Sequence, residues 1–393
     1  MLLNKIYNVI DFGTSKISIA SGKLNGNEVN FYGLGVCEYA GFRDGEWLAP
    51  QDLEESIMLA KLDAESQTGR KIHSAYVAIP GEFSRTFFTH VESKPINLDG
   101  RIVESDIENL MKQGEASLPW PDDYEVMHRT PVLYRLDGQS WRRDPTGQFA
   151  RDLEAYISYT AVDTVFMKDM ELLLDDMGIG AVGFISTPKT TTETIASESD
   201  RQTIIVIDSG YYTTDIMVYE NGGLIVHDNI PLGGYHITAD LMVKFNQYRE
   251  IAEKIKRNCS IGMDSVGLDK IMVNEDKEKI TFSVNDAQVI IEGRIMEILT
   301  STLQAIQKTG MDVDNRVGVY LTGGGIAMIK GVREFMSRNL GVTVRTYRPK
   351  RPIQANSTMT SVCSGLEYIA RHRGRVQQNT NTNKRLNLKG LFR

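Results

Sequence analysis

Two stretches of this 393-residue chain, roughly 200 residues apart, follow one plan. They are YNVIDFGTSKISIASGKL, residues 7–24, and TIIVIDSGYYTTDIMVY, residues 203–219. In each, an apolar run ends in an aspartate, Asp11 or Asp208. A turn with a glycine follows, Gly13 or Gly210, and then a second run with alternating apolar positions, Ile17 and Ile19 or Ile216 and Val218. Apolar runs and period-two alternation bounded by turn residues predict strands. Each stretch is therefore a strand–turn–strand unit with a carboxylate at the end of its first strand. The wide separation excludes a short-period solenoid. It predicts one α/β unit used twice, with a cleft between the copies.

The residue types in the turns point to phosphate. Thr14, Ser15 and Thr213 offer hydroxyls, the turn offers backbone N–H groups, and Lys16 offers a positive charge. Asp11 and Asp208, at the strand ends, suit a hydrated Mg²⁺, which keeps several waters and takes one or two carboxylates. A third glycine turn, Gly323, Gly324 and Gly325, stands between the apolar run VGVYLT and a helical pattern, where free N–H groups face a nucleotide. A hairpin whose glycine and threonine serve only the turn explains either unit alone. The three turns in this order point to a nucleotide. Glu253 and Lys256, three apart in AEKIK, share a helix face. They fit either a solvated charged face or a ribose and base contact completed by Arg257.

Between the repeated units lie segments of different texture. Residues 84–165 read as an inserted α+β subdomain, with a helix over Glu104 to Gly114 and several prolines. The first lobe then comprises 1–83 and 166–200, and the second 201–235 and 310–370. Residues 236–309 form an insertion in the second lobe, with a short charged helix, a strand in EKITFSV and a long amphipathic helix capped by Asp286. The helix in DTVFMKDMELLLDDMG presents Val165, Met167, Leu172, Leu173 and Met177 as its apolar positions and ends at Gly178. Residues 371–383 read as a polar linker.

Hydrophobic content of 41% and charged content of 24% are those of a globular protein. Three scattered cysteines, Cys37, Cys259 and Cys363, suggest neither a zinc site nor a disulfide framework, and a reducing cytoplasm is the simplest setting. The N-terminus lacks a long apolar signal core and reads as a first strand. The net charge of -7 is uneven: after Glu367 the chain has seven basic residues and no acid. The body is therefore markedly acidic, which argues against nucleic-acid partners. The segment KRLNLKGLFR, residues 384–393, joins Leu386, Leu388, Leu391 and Phe392 to Lys384, Arg385, Lys389 and Arg393. Apolar plus basic residues are what an anchor at an anionic lipid surface needs.

The order VIDFGTSK, VIDSGYYTTDI, IPLGGYHITADL, AEKIK, VYLTGGG resembles the actin/Hsp70/hexokinase superfamily, and within it the bacterial cell-division protein FtsA. The stretch PKRPIQANSTMTSVCSGLEYIA resembles the FtsA closing segment, so the resemblance runs from Tyr7 to His372. It implies an actin-like two-lobed fold, two ribonuclease-H-like α/β domains around a nucleotide cleft, with an FtsA-type inserted α+β subdomain. It implies ATP and Mg²⁺ as cofactors, with Gly233 and Gly234 joining the nucleotide site. It implies self-assembly into filaments, a grip on the C-terminal tail of FtsZ, and a place on the cytoplasmic face of the membrane at the division site. Arg294, on the long helix of the second-lobe insertion, matches a basic position for an acidic tail; an ordinary surface arginine is the alternative.

One departure bears on chemistry. The family's second phosphate motif has glycines where this chain has Tyr211 and Tyr212. A left-handed backbone there would cost a non-glycine residue about 1–2 kcal/mol, and a phenol ring could enter the phosphate space. Weak ATP binding or absent turnover is expected. Two other readings share the fold: a type IV pilus assembly protein of the PilM sort, and a small-molecule kinase, for which no general base stands out.

Overall fold

The computed structural model describes residues 6–26, 28–95, 99–263, 269–273, 279–310, 314, 316–352 and 355–372. The segment 384–393, with Leu386, Leu388, Lys389, Leu391 and Phe392, lies outside the described residues.

The architecture is actin-like, built on two five-stranded mixed sheets of matching topology. In the first, Ile6–Phe12, Lys16–Asn25 and Glu28–Glu38 form an antiparallel meander. Ser74–Ile79 and then Gly180–Ser186 continue it in parallel on the other side. In the second, Thr203–Ser209, Thr214–Glu220 and Gly223–Ile230 form the meander, continued by Gly318–Thr322 and Val344–Thr346. The registers correspond: Ile10 pairs with Ile19 and Asp11 with Ser18, as Ile207 pairs with Ile216 and Asp208 with Asp215. The two aspartates thus leave their sheets at equivalent points.

Each sheet is covered on both faces, which explains runs that are apolar almost throughout. Ile10, Phe12, Ile17 and Ile19 pack with Leu53, Ile57 and Ala60 of the helix Leu53–Thr68. Tyr7, Val9 and Ala20 point the other way, onto Val362, Leu366 and Ile369 of the helix Thr360–Arg371. In the second sheet, Ile205, Ile207 and Val218 meet Ile291, Ile295 and Ile298 of the helix Val284–Gln307. Ile204, Val206 and Met217 meet Ile195 of the helix Thr187–Glu198.

A three-stranded antiparallel sheet, in the order Ser84–Ser93, Leu153–Asp163, Tyr124–Leu136, is inserted into the first unit. The helix Glu104–Ala116 closes one face, and the Tyr159 hydroxyl donates to the Met111 carbonyl at 2.7 Å. The opposite face leans on the second lobe, where the Ser158 hydroxyl donates to the Leu224 carbonyl. Among the described residues no helix is long and apolar enough to cross a membrane.

Two local expectations are corrected. The helix Thr164–Asp176 buries Phe166, Met167, Met170 and Leu174, while Val165 and Leu172 face solvent. Positions 166, 170 and 174 repeat every four residues and form one face; Val165 and Leu172 belong to the other. The long helix begins at Val284, and its cap is Ser283, whose hydroxyl accepts from the Asp286 N–H at 3.2 Å. Asp286 sits in the first turn instead, where a carboxylate meets the positive end of the helix dipole.

Candidate functional site

The two turns are built alike. Gly13 N–H donates to the Lys16 carbonyl at 2.9 Å, and Gly210 N–H donates to the Thr213 carbonyl at 2.8 Å. Each hairpin aims its preceding aspartate at the gap between the sheets. Asp11, Gly13, Thr14, Asp208, Gly210 and Thr213 all line one cavity of about 80 Å³ there. The turns touch directly: the backbone N–H of Tyr212 donates to Thr14 Oγ1 at 3.1 Å.

Asp11 is buried and Asp208 and Asp215 are partly buried at this junction, and loss of water disfavours their charge. Asp11 is pushed up to about 6 by desolvation, with Lys16 pulling it partly back. Desolvation pushes Asp208 up to about 7, and the negative charges of Asp215 and Asp11 add to it. Carboxyl groups that repel one another across a gap are of the type that could hold a cation. Lys16 is also drawn below its ordinary value by burial, and its ammonium donates to the Thr358 carbonyl. Ser361 donates to Asp208 Oδ2 at 3.4 Å.

The third turn packs against the second. Gly323, at φ +87°, takes a left-handed conformation that favours glycine. Gly325 N–H donates to the Ser209 carbonyl at 2.7 Å. A side chain on Gly234 would meet the Gly325 Cα at 2.7 Å, so these backbones approach as only glycines permit. Gly234 N–H in turn donates to the Gly210 carbonyl at 3.0 Å. Gly233 precedes the helix Gly234–Phe245, and a Cβ there would meet the Tyr211 carbonyl at 2.5 Å. Gly324 faces Thr358.

Glu253 and Lys256 are not a solvated face. Lys256 is buried, and its ammonium donates to the Gly234 carbonyl and Thr238 Oγ1, each at 3.0 Å, beside Glu253 at 2.7 Å. Arg257, mostly exposed, pairs with Glu253 at 3.0 Å. This cluster braces the start of the helix Gly234–Phe245 against the helix Arg249–Asn258.

Tyr211 and Tyr212 depart from the expected strain: neither has a positive φ. Their rings lie 4.7 Å apart and meet Tyr235 at 5.4 and 5.0 Å. Arg249 reaches the Tyr211 hydroxyl at 3.5 Å, and Arg43, from the first lobe, lies 5.7 Å from the Tyr212 ring centre. The tyrosines thus form an aromatic wall beside the turn.

Several cavity residues were not legible in advance. Pro80, Gly81 and Glu82 enter from the loop after Ser74–Ile79, and Gly81 abuts the Asp215 carboxylate. Asp215 itself accepts from Asn229 Nδ2 at 2.8 Å and lies 2.8 Å from His227 Nε2. The signal for Gly81 was a glycine just beyond an apolar run, IPG. Arg294 does not line this cavity: its guanidinium grips Asp240 at 2.7 and 3.2 Å and Glu297 at 2.9 Å.

Comparison with known proteins agrees with this fold. Solved structures similar in fold include a PilM–PilN type IV pilus biogenesis complex (TM-score 0.65, 14% identity, 94% of this chain and 99% of that one). Another is MreB 5 of Spiroplasma citri bound to AMPPNP (TM-score 0.53, 11% identity, 97% and 99%). At such identities they bear on the fold alone. The sequence is 27% identical over 351 residues to the cell division protein FtsA of Neisseria meningitidis, covering 87% of this chain and 83% of that protein. It is 25% identical over 380 residues to that of Bacillus subtilis, covering 95% and 85%. The family model for cell division protein FtsA matches residues 205–368, and that for the SHS2 domain inserted in FtsA matches residues 86–160. With its actin-like fold and the inserted subdomain between the halves of its first lobe, the chain belongs to the FtsA family of cell division proteins.

Proposed function

We propose that this chain is a division scaffold that binds ATP with Mg²⁺, assembles into actin-like filaments, and tethers FtsZ to the cytoplasmic face of the membrane, with little or no turnover. The observation that carries the nucleotide reading is the meeting of Asp11 and Asp208 in one cavity. These residues fit a metal–phosphate group at its inner end. Asp11 and Asp208 would hold a hydrated Mg²⁺ through its waters, and Thr14, Ser15, Lys16, Gly210 and Thr213 would surround phosphate oxygens. Gly233, Gly234, Glu253, Arg257, Gly323, Gly324 and Gly325 would face the nucleoside, and Lys256, whose ammonium is committed to Gly234, Thr238 and Glu253, would act by bracing them. Bound Mg²⁺ supplies charge that offsets the crowded carboxylates and phosphates.

The outer part of the cleft fits less well. A cavity of about 80 Å³ is far below the ~300–1,000 Å³ of ordinary ligand sites. Nucleotide entry therefore requires the lobes to part, and the Tyr211 and Tyr212 rings, which stand beside the Gly210 turn without lining this cavity, are proposed to hinder it. This supports weak binding and a scaffold role over an ATPase. Isothermal titration of MgATP into the wild type and into Tyr211→Gly/Tyr212→Gly tests it. Tighter binding by the glycine variant is expected, and unchanged affinity rejects the obstruction.

The second-lobe insertion is the proposed FtsZ-tail dock, with Arg294 as a contact. An acidic peptide must then compete with Asp240 and Glu297 for its guanidinium. Pull-down with an FtsZ C-terminal peptide, against a PilN-type N-terminal peptide as control, separates this reading from the PilM one. Membrane attachment is assigned to residues 384–393 and is read by flotation with anionic vesicles.

A further inference from the structure

We infer that the outer face of the helix Leu53–Thr68 is a docking surface for this chain's own segment 384–393, in competition with lipid. The inference rests on the proposal that this segment binds membrane, and adds what holds it when no membrane is present.

The helix buries Leu53, Ile57, Ala60 and Ala64 against the first sheet. Its other side exposes Met58, Leu59 and Leu62, at 37%, 50% and 46% of full exposure. Positions 58, 59 and 62 are neighbours on a helix surface. A surface helix ordinarily turns charge, not three large apolar side chains, to water. The exposed charged residues among them are all acidic: Glu54, Glu55 and Asp63. Lys61, the one basic residue of the helix, pairs with Glu65 at 2.7 Å. The face is thus apolar with a negative border.

Segment 384–393 is its complement. It carries Leu386, Leu388, Leu391 and Phe392 with four basic residues and no acid. Opposite charge around a shared apolar contact favours pairing and fixes its sense.

The connection can reach. The helix Thr360–Arg371 lies on the opposite face of the same sheet, and both helices touch the edge strand Glu28–Glu38. From His372 to Lys384 the chain spans at most about 40 Å at ~3.3–3.6 Å per residue. Three layer spacings of ~10 Å, to the sheet, to the helix Leu53–Thr68 and onto its outer face, need about three-quarters of that. Tethering also raises the local concentration of the segment, to the millimolar range for a short linker.

The test uses the full chain. Carbodiimide joins contacting lysine and carboxylate side chains, and mass spectrometry locates the links. Links from Lys384 or Lys389 to Glu54, Glu55 or Asp63 are expected, fading at high salt and on adding phosphatidylcholine vesicles with 30% phosphatidylglycerol. Mixing ¹⁵N-labelled and unlabelled protein should show them within one chain. Leu59→Ser/Leu62→Ser should remove them and raise flotation with those vesicles several-fold; Leu59 and Leu62 are exposed, so the fold should survive. Glu54→Lys/Glu55→Lys should do the same through charge. Absence of any such link, or links only between copies, overturns the inference even if the protein floats. Links in a chain that never floats leave the docking standing and reject the lipid reading.

Discussion

The backbone N–H of Tyr212 donates to the side-chain oxygen of Thr14 at 3.1 Å, joining the glycine-bearing turns of the two halves. One of the two tyrosines that stand where the family motif has glycines therefore also ties the lobes together, through a backbone group.

Replacing Thr14 by valine keeps the shape and removes that acceptor. A net loss of about 0.5–1.5 kcal/mol is expected, visible as a lower urea midpoint. Hydrogen exchange should show faster exchange at the Tyr212 amide. An unchanged amide would mean that the lobes stay together by other contacts.

Lys256→Met should cost more. It strips Glu253 of its buried partner at 2.7 Å and leaves the Gly234 carbonyl without its lysine donor. Removing one member of a buried pair costs about 3–5 kcal/mol; Arg257 and Thr238 still reach Glu253, so the lower end applies. Lys256→Met/Glu253→Gln should recover part of the loss in a denaturant titration.

Gly81→Ala places a methyl group against the Asp215 carboxylate, across the gap between the halves. The lobes must then part or the loop must move. Small-angle scattering should report a larger radius of gyration than the wild type, and thermal unfolding a lower midpoint.

His128 links the inserted subdomain to the helix Thr360–Arg371, its Nδ1 lying 3.4 Å from the Tyr368 hydroxyl. Burial pulls it down from 6.5 to about 3, with the nearby Lys189 charge adding to the effect. The folded protein therefore binds fewer protons here than the unfolded chain between these values. The stability it contributes is complete above about pH 6.5 and falls as pH drops toward 3, by at most about 1.4 kcal/mol per pH unit. Urea midpoints at pH 7 and pH 5 should differ more for the wild type than for His128→Gln.

The chain's duplicated plan was legible because it is local: an apolar run, an aspartate and a glycine turn are adjacent in sequence, twice. The pattern predicts the helix at residues 164–176 but assigns Val165 and Leu172 to its apolar face, whereas both are exposed. A segment this rich in apolar residues supports more than one stripe, and only the packed sheet selects Phe166, Met170 and Leu174. The cap is ambiguous in the sequence for a similar reason: Ser283 and Asp286, three residues apart, are equally good capping types. Spacing leaves Lys256 either solvated or in a site, because it says nothing about which face is covered.

Sequence alone determined the two related halves, the aspartate at each strand end and the tyrosines in place of glycines, since each is written in contiguous residues. Tertiary structure decided that Gly81 and Ser361 join the cavity, that Arg43 reaches Tyr212, and that Lys256 is enclosed. Those partners lie tens to hundreds of residues apart. Their meeting depends on how two sheets and their helices pack, which no local pattern encodes.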